Sequence, residues 1–180
     1  MTAVASARML YSATPRLGSG DKFDPSKLKS RLKLAVQRFR LVSQKKEALI
    51  KQRKRKLAAE TNQTRKRLWS EALVRDENTA EAYDLLGLEC EMLLCRAKLI
   101  ESGTSIECPD EIKRYACTLI WAAPYVEVPE LAEIRQQLQF RYGKGLIRIA
   151  SQNVGGCVKQ NIYEKLTGHA PVFDAKVCTL

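Results

Sequence analysis

Several absences narrow the reading at once. One histidine, His169, stands in 180 residues, too few for the usual His-containing zinc sites. The six cysteines (Cys90, Cys95, Cys108, Cys117, Cys157, Cys178) show no C-x-x-C or similar paired spacing. They read as reduced thiols of a cytosolic protein, mostly packing residues. Cys157 follows two glycines, but no histidine lies near it in sequence to activate a nucleophile. Gly143-Lys144-Gly145 lacks the upstream glycine and the following Ser/Thr of a phosphate loop. Glu89, Glu91, Asp110 and Glu111 read as helix-surface or capping charges. No run approaches the roughly 18 apolar residues of a membrane span. Aromatics are 7% of the chain, with nine Gly and six Pro, against 45% apolar residues rich in Leu and Ala. That balance favours helices over a sandwich or barrel, and no strand signals stand out. The expectation is an all-α, non-enzymatic protein of one domain, with no cofactor and no metal.

What is present is positive charge, unevenly placed. Between Lys22 and Arg75, 18 Lys/Arg face four Asp/Glu (Asp24, Glu47, Glu60, Glu71), a balance of +14. From Asp76 to Leu180 the balance is −4, with 11 Lys/Arg and 15 Asp/Glu. A polycation of this kind seeks phosphate on nucleic acid or lipid, or an acidic protein face. The first twenty residues contain no acid, two Arg and three Ser. This is compatible with a mitochondrial presequence, although Pro15 and two Gly favour a disordered tail over residues 1–22.

Asp24 and Pro25 form an N-cap and first helical residue. Leu28, Leu32, Ala35, Phe39, Val42 and Leu49 then recur mostly at steps of four and three, a helical seam. Helix formers continue to about Glu60, roughly 36 residues or about 54 Å. After the polar Thr61–Thr64, a second seam runs through Trp69, Leu73, Ala80, Tyr83, Leu86, Cys90, Leu93, Ala97 and Ile100. Two long seams joined by four polar residues predict an antiparallel hairpin over 23–103. Pro109-Asp110 opens a short helix that Pro124 ends, because the residue before a proline is pushed out of the helical region. Pro129 begins another helix, weakened by Gly143 and Gly145. Residues 157–166 form a last short helix ended by Gly168, and 169–180 is a short irregular tail. The domain is expected over 23–168, with three or four short helices (109–168) laid on the hairpin.

The basic run KQRKRK at 51–56 has three readings: a nucleic-acid or nuclear-localisation patch, a contact for anionic membrane, or a solvated helix face. On a helical wheel Leu28, Leu32, Ala35, Phe39 and Leu49 mark the buried side. Lys33, Arg40, Lys51 and Arg55 point roughly opposite, with Lys29, Arg38 and Lys54 on the flanks.

The stretch TLIWAAP at 118–124, followed by Pro129-Glu130-Leu131 and Gln136-Gln137-Leu138, resembles the Ist family (increased sodium tolerance), relatives of the ESCRT-III membrane-remodelling subunits. Phe23 with Lys27-Leu28 and Leu32-Lys33-Leu34, and Lys45-Lys46-Glu47, resemble its first helix. Arg75-Asp76-Glu77, Ala82-Tyr83 and Cys90 through Arg96 resemble its second. Phe140-Arg141-Tyr142-Gly143 resembles the helix after the corner. The likeness covers residues 23 to about 168. Two departures stand out. The tip KLAAETNQTRKRL is about one helical turn shorter than usual and lacks the usual Gly-Lys pair. The linker and C-terminal leucine-plus-basic helix that dock on the AAA ATPase are not found up to Leu180.

The resemblance implies binding to ESCRT-III subunits and anionic membrane, assembly into a homo- or hetero-polymer, and regulation of endosomal (multivesicular body) sorting and membrane scission. It implies a cytoplasmic protein, peripheral on endosomal membranes, whose contact with the AAA ATPase is indirect. It places the membrane or filament role of Lys33, Arg40, Lys51 and Arg55 above specific nucleic-acid binding. A basic RNA-binding or ribosome-associated protein is the alternative. Trp121 and Pro124 then make a structural corner, in which Trp121 covers the hairpin and Pro124 turns the chain.

Overall fold

Asp24 opens the first helix as its sequence predicts: its carboxylate accepts the N–H groups of Ser26 (2.8 Å) and Lys27 (3.0 Å). Helix α1 spans Pro25–Ala59. The structure, a computed structural model, describes residues 22–168. The expected terminal tails, the presequence reading of residues 1–20, His169 and Cys178 therefore lie outside the described residues. Leu28, Leu32, Ala35 and Phe39 are buried as expected, but Leu49 is exposed and Ile50 is buried in its place. A straight helix drifts about 20° per heptad against a strict seven-residue repeat. After three heptads the buried line has therefore moved one residue on.

The chain reverses at Glu60–Asn62, and α2 spans Gln63–Cys95 with Asn62 capping it through the N–H of Arg65 (3.1 Å). The link is shorter than the four residues expected, because Gln63 and Thr64 already belong to the helix. Trp69 is exposed rather than part of the seam; so close to the tip, only α1 is there to cover it. The second long helix does not run unbroken to Ser102. Arg96 leaves helical geometry (φ −97, ψ 10), and a separate α3 follows at Ala97–Ser102. Together α1 and α2 form the antiparallel hairpin.

Residues 103–109 connect α3 to α4 (Asp110–Ala122). Arg141 pins this connector by donating to the carbonyls of Ile100 (2.9 Å), Gly103 and Ser105 (2.8 Å). A Cβ at Gly103 would stand 3.0 Å from the Arg141 guanidinium and from Leu99 O, so the glycine permits this close approach.

Pro124 ends α4 by a different route from the one expected. Ala123 stays in the right-handed helical region (φ −49, ψ −41) and still bonds to Leu119 O (3.2 Å). Helical geometry therefore persists up to the proline. The ring's missing N–H removes the next rung, and the Tyr125 N–H closes a turn onto Ala122 O (2.9 Å).

Helix α5 spans Glu130–Ser151, interrupted at Gly143 (φ 80, ψ 174), a conformation that side-chain-bearing residues rarely adopt. A 3₁₀ turn at Val154–Gly156 leads to α6, Gln160–Thr167. All the regular elements among the described residues are helical, matching the all-α expectation.

Side-chain pairs fix how the helices run. Asp24 N–H donates to Gln137 Oε1 (2.9 Å), Arg31 pairs with Glu133 (2.9 Å) and Arg38 with Glu130 (2.6 Å), so α5 lies antiparallel to α1. Lys159 pairs with Glu89 (2.7 Å) and Lys165 with Glu81, so α6 lies antiparallel to α2. The main core gathers Leu32, Phe39, Leu86, Leu93, Leu119 and Ile134, among others, and draws on all six α-helices. A separate small cluster of Ile50, Leu73 and Ala80, with Leu57 against it, involves only the two hairpin helices.

Candidate functional site

The four residues expected on the outer face of α1 do not share one state. Lys33, Lys51 and Arg55 are exposed and form no ion pair among the described residues. Arg40 is also exposed but reaches across to Glu91 on α2 (2.6 Å). It therefore stands at the edge of the free face, partly neutralised. The flank residues are tied down: Lys29 to Glu101 (2.6 Å), Arg38 to Glu130, and Lys54 to Glu77 (2.7 Å). Arg53 adds a pair with Asp76. The acids of the later helices thus neutralise the flanks of α1 and leave its outer side cationic. Sequence reading missed this division, because it depends on which acids the fold brings opposite each cation.

Glu130 illustrates the electrostatics of the inner flank. It is buried at the start of α5, and burial by itself would push its carboxyl up. The hydrogen bonds from Arg38, a backbone N–H and the charges of Arg38 and Arg31 outweigh that, and hold it below the usual carboxylate range.

Glu89 departs from its expected role as a surface charge. It is 2% exposed, and Lys159 at the start of α6 satisfies one of its oxygens while Oε2 has no protein partner. Lys159 also anchors through its backbone, donating to Thr118 Oγ1 on α4 (3.0 Å). The corner lies beside this junction. Trp121 is buried, stacked on Tyr125 (4.6 Å between ring centroids) and tilted against Tyr163 of α6 (5.0 Å). Its plate thus ties the corner to α6 as well as closing the core, whereas Pro124 is exposed. Tyr83 on α2 accepts from the Glu127 N–H (3.5 Å), which holds the loop after the corner against the hairpin.

One apolar surface escaped the sequence reading. Leu88, Met92, Cys95 and Leu99 are exposed along α2 and α3, at steps of four, three and four. The spacing is that of a helix-packing seam. It was legible as a second stripe beside the buried one, but sequence alone does not say which stripe the fold covers. Leu88 also lines a cleft of about 280 Å³ between α1 and α2, beside the Arg40–Glu91 pair. The buried Cys90 and Cys117 and the half-buried Cys108 offer little chemistry: burial pushes Cys108 up to about 11 and Cys117 up to about 12, and raises Cys90 too. Such thiols carry little thiolate at neutral pH. Among the described residues no cluster suits a metal, and no helix is long and apolar enough to cross a membrane.

Comparison with known proteins bears on what these surfaces belong to. An IST1-like protein of Dictyostelium discoideum is 34% identical over 157 residues, covering 86% of this chain and 42% of its own length. The vacuolar protein sorting-associated protein IST1 of Saccharomyces cerevisiae is 32% identical over 125 residues, 64% of this chain and 42% of that protein. The chain thus spans about two fifths of the length of these relatives. The crystal structure of the S. cerevisiae Ist1 N-terminal domain in complex with the Did2 MIM motif superposes with a TM-score of 0.76 at 23% identity. It covers 86% of this chain and 87% of that one, and shows that the fold is shared. The family model described as Ist1, regulator of Vps4 activity in the MVB pathway, matches residues 29–180. With the ESCRT-III-like helical fold and a match over most of its length, the chain belongs to the Ist1 family, a family of regulators rather than enzymes.

Proposed function

We propose that this protein binds an ESCRT-III subunit while the outer face of α1 rests on an anionic membrane, and that it thereby regulates assembly and disassembly in endosomal sorting and scission. The observation that carries the membrane half is the division of charge on α1. Among the described residues Lys33, Lys51 and Arg55 are exposed and form no ion pair, while the neighbouring flanks are neutralised within the fold. Each such cation near an anionic surface contributes about 1 kcal/mol, and the contributions act together on a straight helix. The protein would then be cytoplasmic and peripheral on endosomal membranes.

The partner half is supported by the exposed Leu88–Met92–Cys95–Leu99 seam, which fits the apolar stripe of a short helix. The crystallised S. cerevisiae domain holds a MIM motif from Did2. Repeated head-to-tail contacts would produce an open polymer, because heterologous interfaces need not close.

The decisive experiment is flotation with acidic vesicles of a variant carrying Lys33→Glu, Arg40→Glu, Lys51→Glu and Arg55→Glu. Loss of vesicle binding with unchanged helicity is expected. Unchanged binding would remove this face from the membrane role, and selective capture of one RNA over bulk competitor would favour nucleic acid instead. For the partner half, Met92→Glu should abolish capture of an ESCRT-III subunit and leave vesicle binding intact.

A further inference from the structure

The face of α1 opposite the core is not uniformly basic. Each residue turns the helix about 100°, so Ser30, Leu34, Gln37, Leu41, Gln44 and Ala48 lie along its outermost line. All six are exposed; Leu34 keeps 43% and Leu41 59% of its surface in water. No acid lies on this line, and Glu47 is the single acid in the whole of α1. Exposed cations flank it on both sides: Lys33, Arg40 and Lys51 along one edge, Lys27, Lys45 and Lys56 along the other. None of the other described helices covers the ridge.

Resting on the membrane reading above, we propose that Leu34 and Leu41 insert into the acyl boundary of an anionic bilayer, so that α1 docks by an apolar ridge between two cationic rails. An interfacial helix has this cross-section, with apolar side chains below and Lys/Arg reaching the headgroups on either side. The spacing argues against other occupants. The two leucines stand about 10 Å apart, with Gln37 between them on the ridge. A partner helix, or a second copy of this chain, needs the denser alternation of three and four that α2 presents. Nucleic acid would use the cations but gain nothing from leucine. A fluid acyl surface requires no matching holes. The ridge adds a component that salt does not screen, whereas the cations alone weaken as ionic strength rises.

The test uses the 180-residue chain and vesicles of phosphatidylserine and phosphatidylcholine at about 3:7, in about 0.1 M and about 0.5 M salt. The wild type is compared with Leu34→Gln/Leu41→Gln and with the four-residue charge reversal. Both leucines are exposed, so the double variant should keep its helicity and thermal midpoint. It is expected to bind on the order of thirtyfold more weakly at the lower salt, and not at all at the higher salt, where wild type retains measurable binding. Equal binding by wild type and the leucine variant, with loss in the charge reversal, would overturn insertion and leave the basic-face reading standing. Failure of the wild type to bind these vesicles would overturn both. A smaller solution mass for the leucine variant without vesicles would assign the ridge to a second copy. Stronger retention on RNA than on vesicles, indifferent to the leucines, would assign the face to nucleic acid.

Discussion

Burial pushes the Glu130 carboxyl up, but the hydrogen bonds from Arg38 and the backbone, with the charges of Arg38 and Arg31, together outweigh it, so this carboxyl titrates lower in the folded chain than in the unfolded one. Its contribution to stability is therefore complete above the unfolded value of about 4.3, and is lost as pH falls through the folded value. Glu130→Gln should lower the thermal midpoint by roughly 2–6 °C at neutral pH. The difference from wild type should shrink as pH falls below the unfolded value and close once the folded carboxyl is protonated, and a gap of constant size throughout that descent would mean Glu130 acts through packing alone. The corner residues separate in the same manner. Trp121→Ala removes a buried plate between Tyr125 and Tyr163 and should cost about 3–5 kcal/mol by urea titration. Pro124→Ala restores a backbone donor at an exposed site and should cost less than about 1 kcal/mol. Sequence reading named Trp121 and Pro124 together and did not foresee their inequality. The spelling marks a turn, while the rings that meet Trp121 come from residues four and 42 positions further on.

At the scale of helices, the junction of α6 with α2 rests on a buried carboxylate. Lys159→Ala would leave Glu89 without its ion-pair partner, a situation that costs about 3–5 kcal/mol when the charge stays buried. The expected outcome is faster amide exchange across residues 160–167 with α1 unaffected; uniform acceleration over the chain would mean that α6 has no independent opening. Replacing both Glu89 and Lys159 by methionine should recover most of the loss, since an apolar pair of similar volume leaves no charge stranded. The break in α5 is equally local. Gly143→Ala places a Cβ at φ 80, ψ 174, a region essentially restricted to glycine, and should cost about 1–3 kcal/mol although nothing crowds the site. Element types and order were legible from caps, prolines and spacing. The interruption at Arg96 was not, because no glycine or proline marks it. Leu49 was misplaced because a strict heptad count ignores the drift of a straight helix.

The whole molecule is unevenly supported. Helices α4 to α6 pack the base of the hairpin, and the main core reaches no further along it than Val42 and Tyr83. Beyond that point the apolar contact between the two helices gathers on Ile50, Leu57, Leu73 and Ala80, with the Arg53–Asp76 and Lys54–Glu77 pairs beside it. Amide exchange should therefore proceed in two stages, the tip half opening at a lower free energy than the base. Exchange at one common rate would show that the hairpin opens as a unit. The hairpin was legible as two seams with a polar break. Its division into braced and unbraced halves was not, since it depends on where short helices dock. The charge asymmetry was read correctly as a basic first third, but the sorting of cations into paired flanks and a free face needed the fold. The unbraced half extends about 25 Å past the bundle, which makes it a lever. A tilt of about 10° at the base carries the tip about 4 Å sideways over that length. Any curvature imposed along α1 would therefore be read out at Asn62 as displacement.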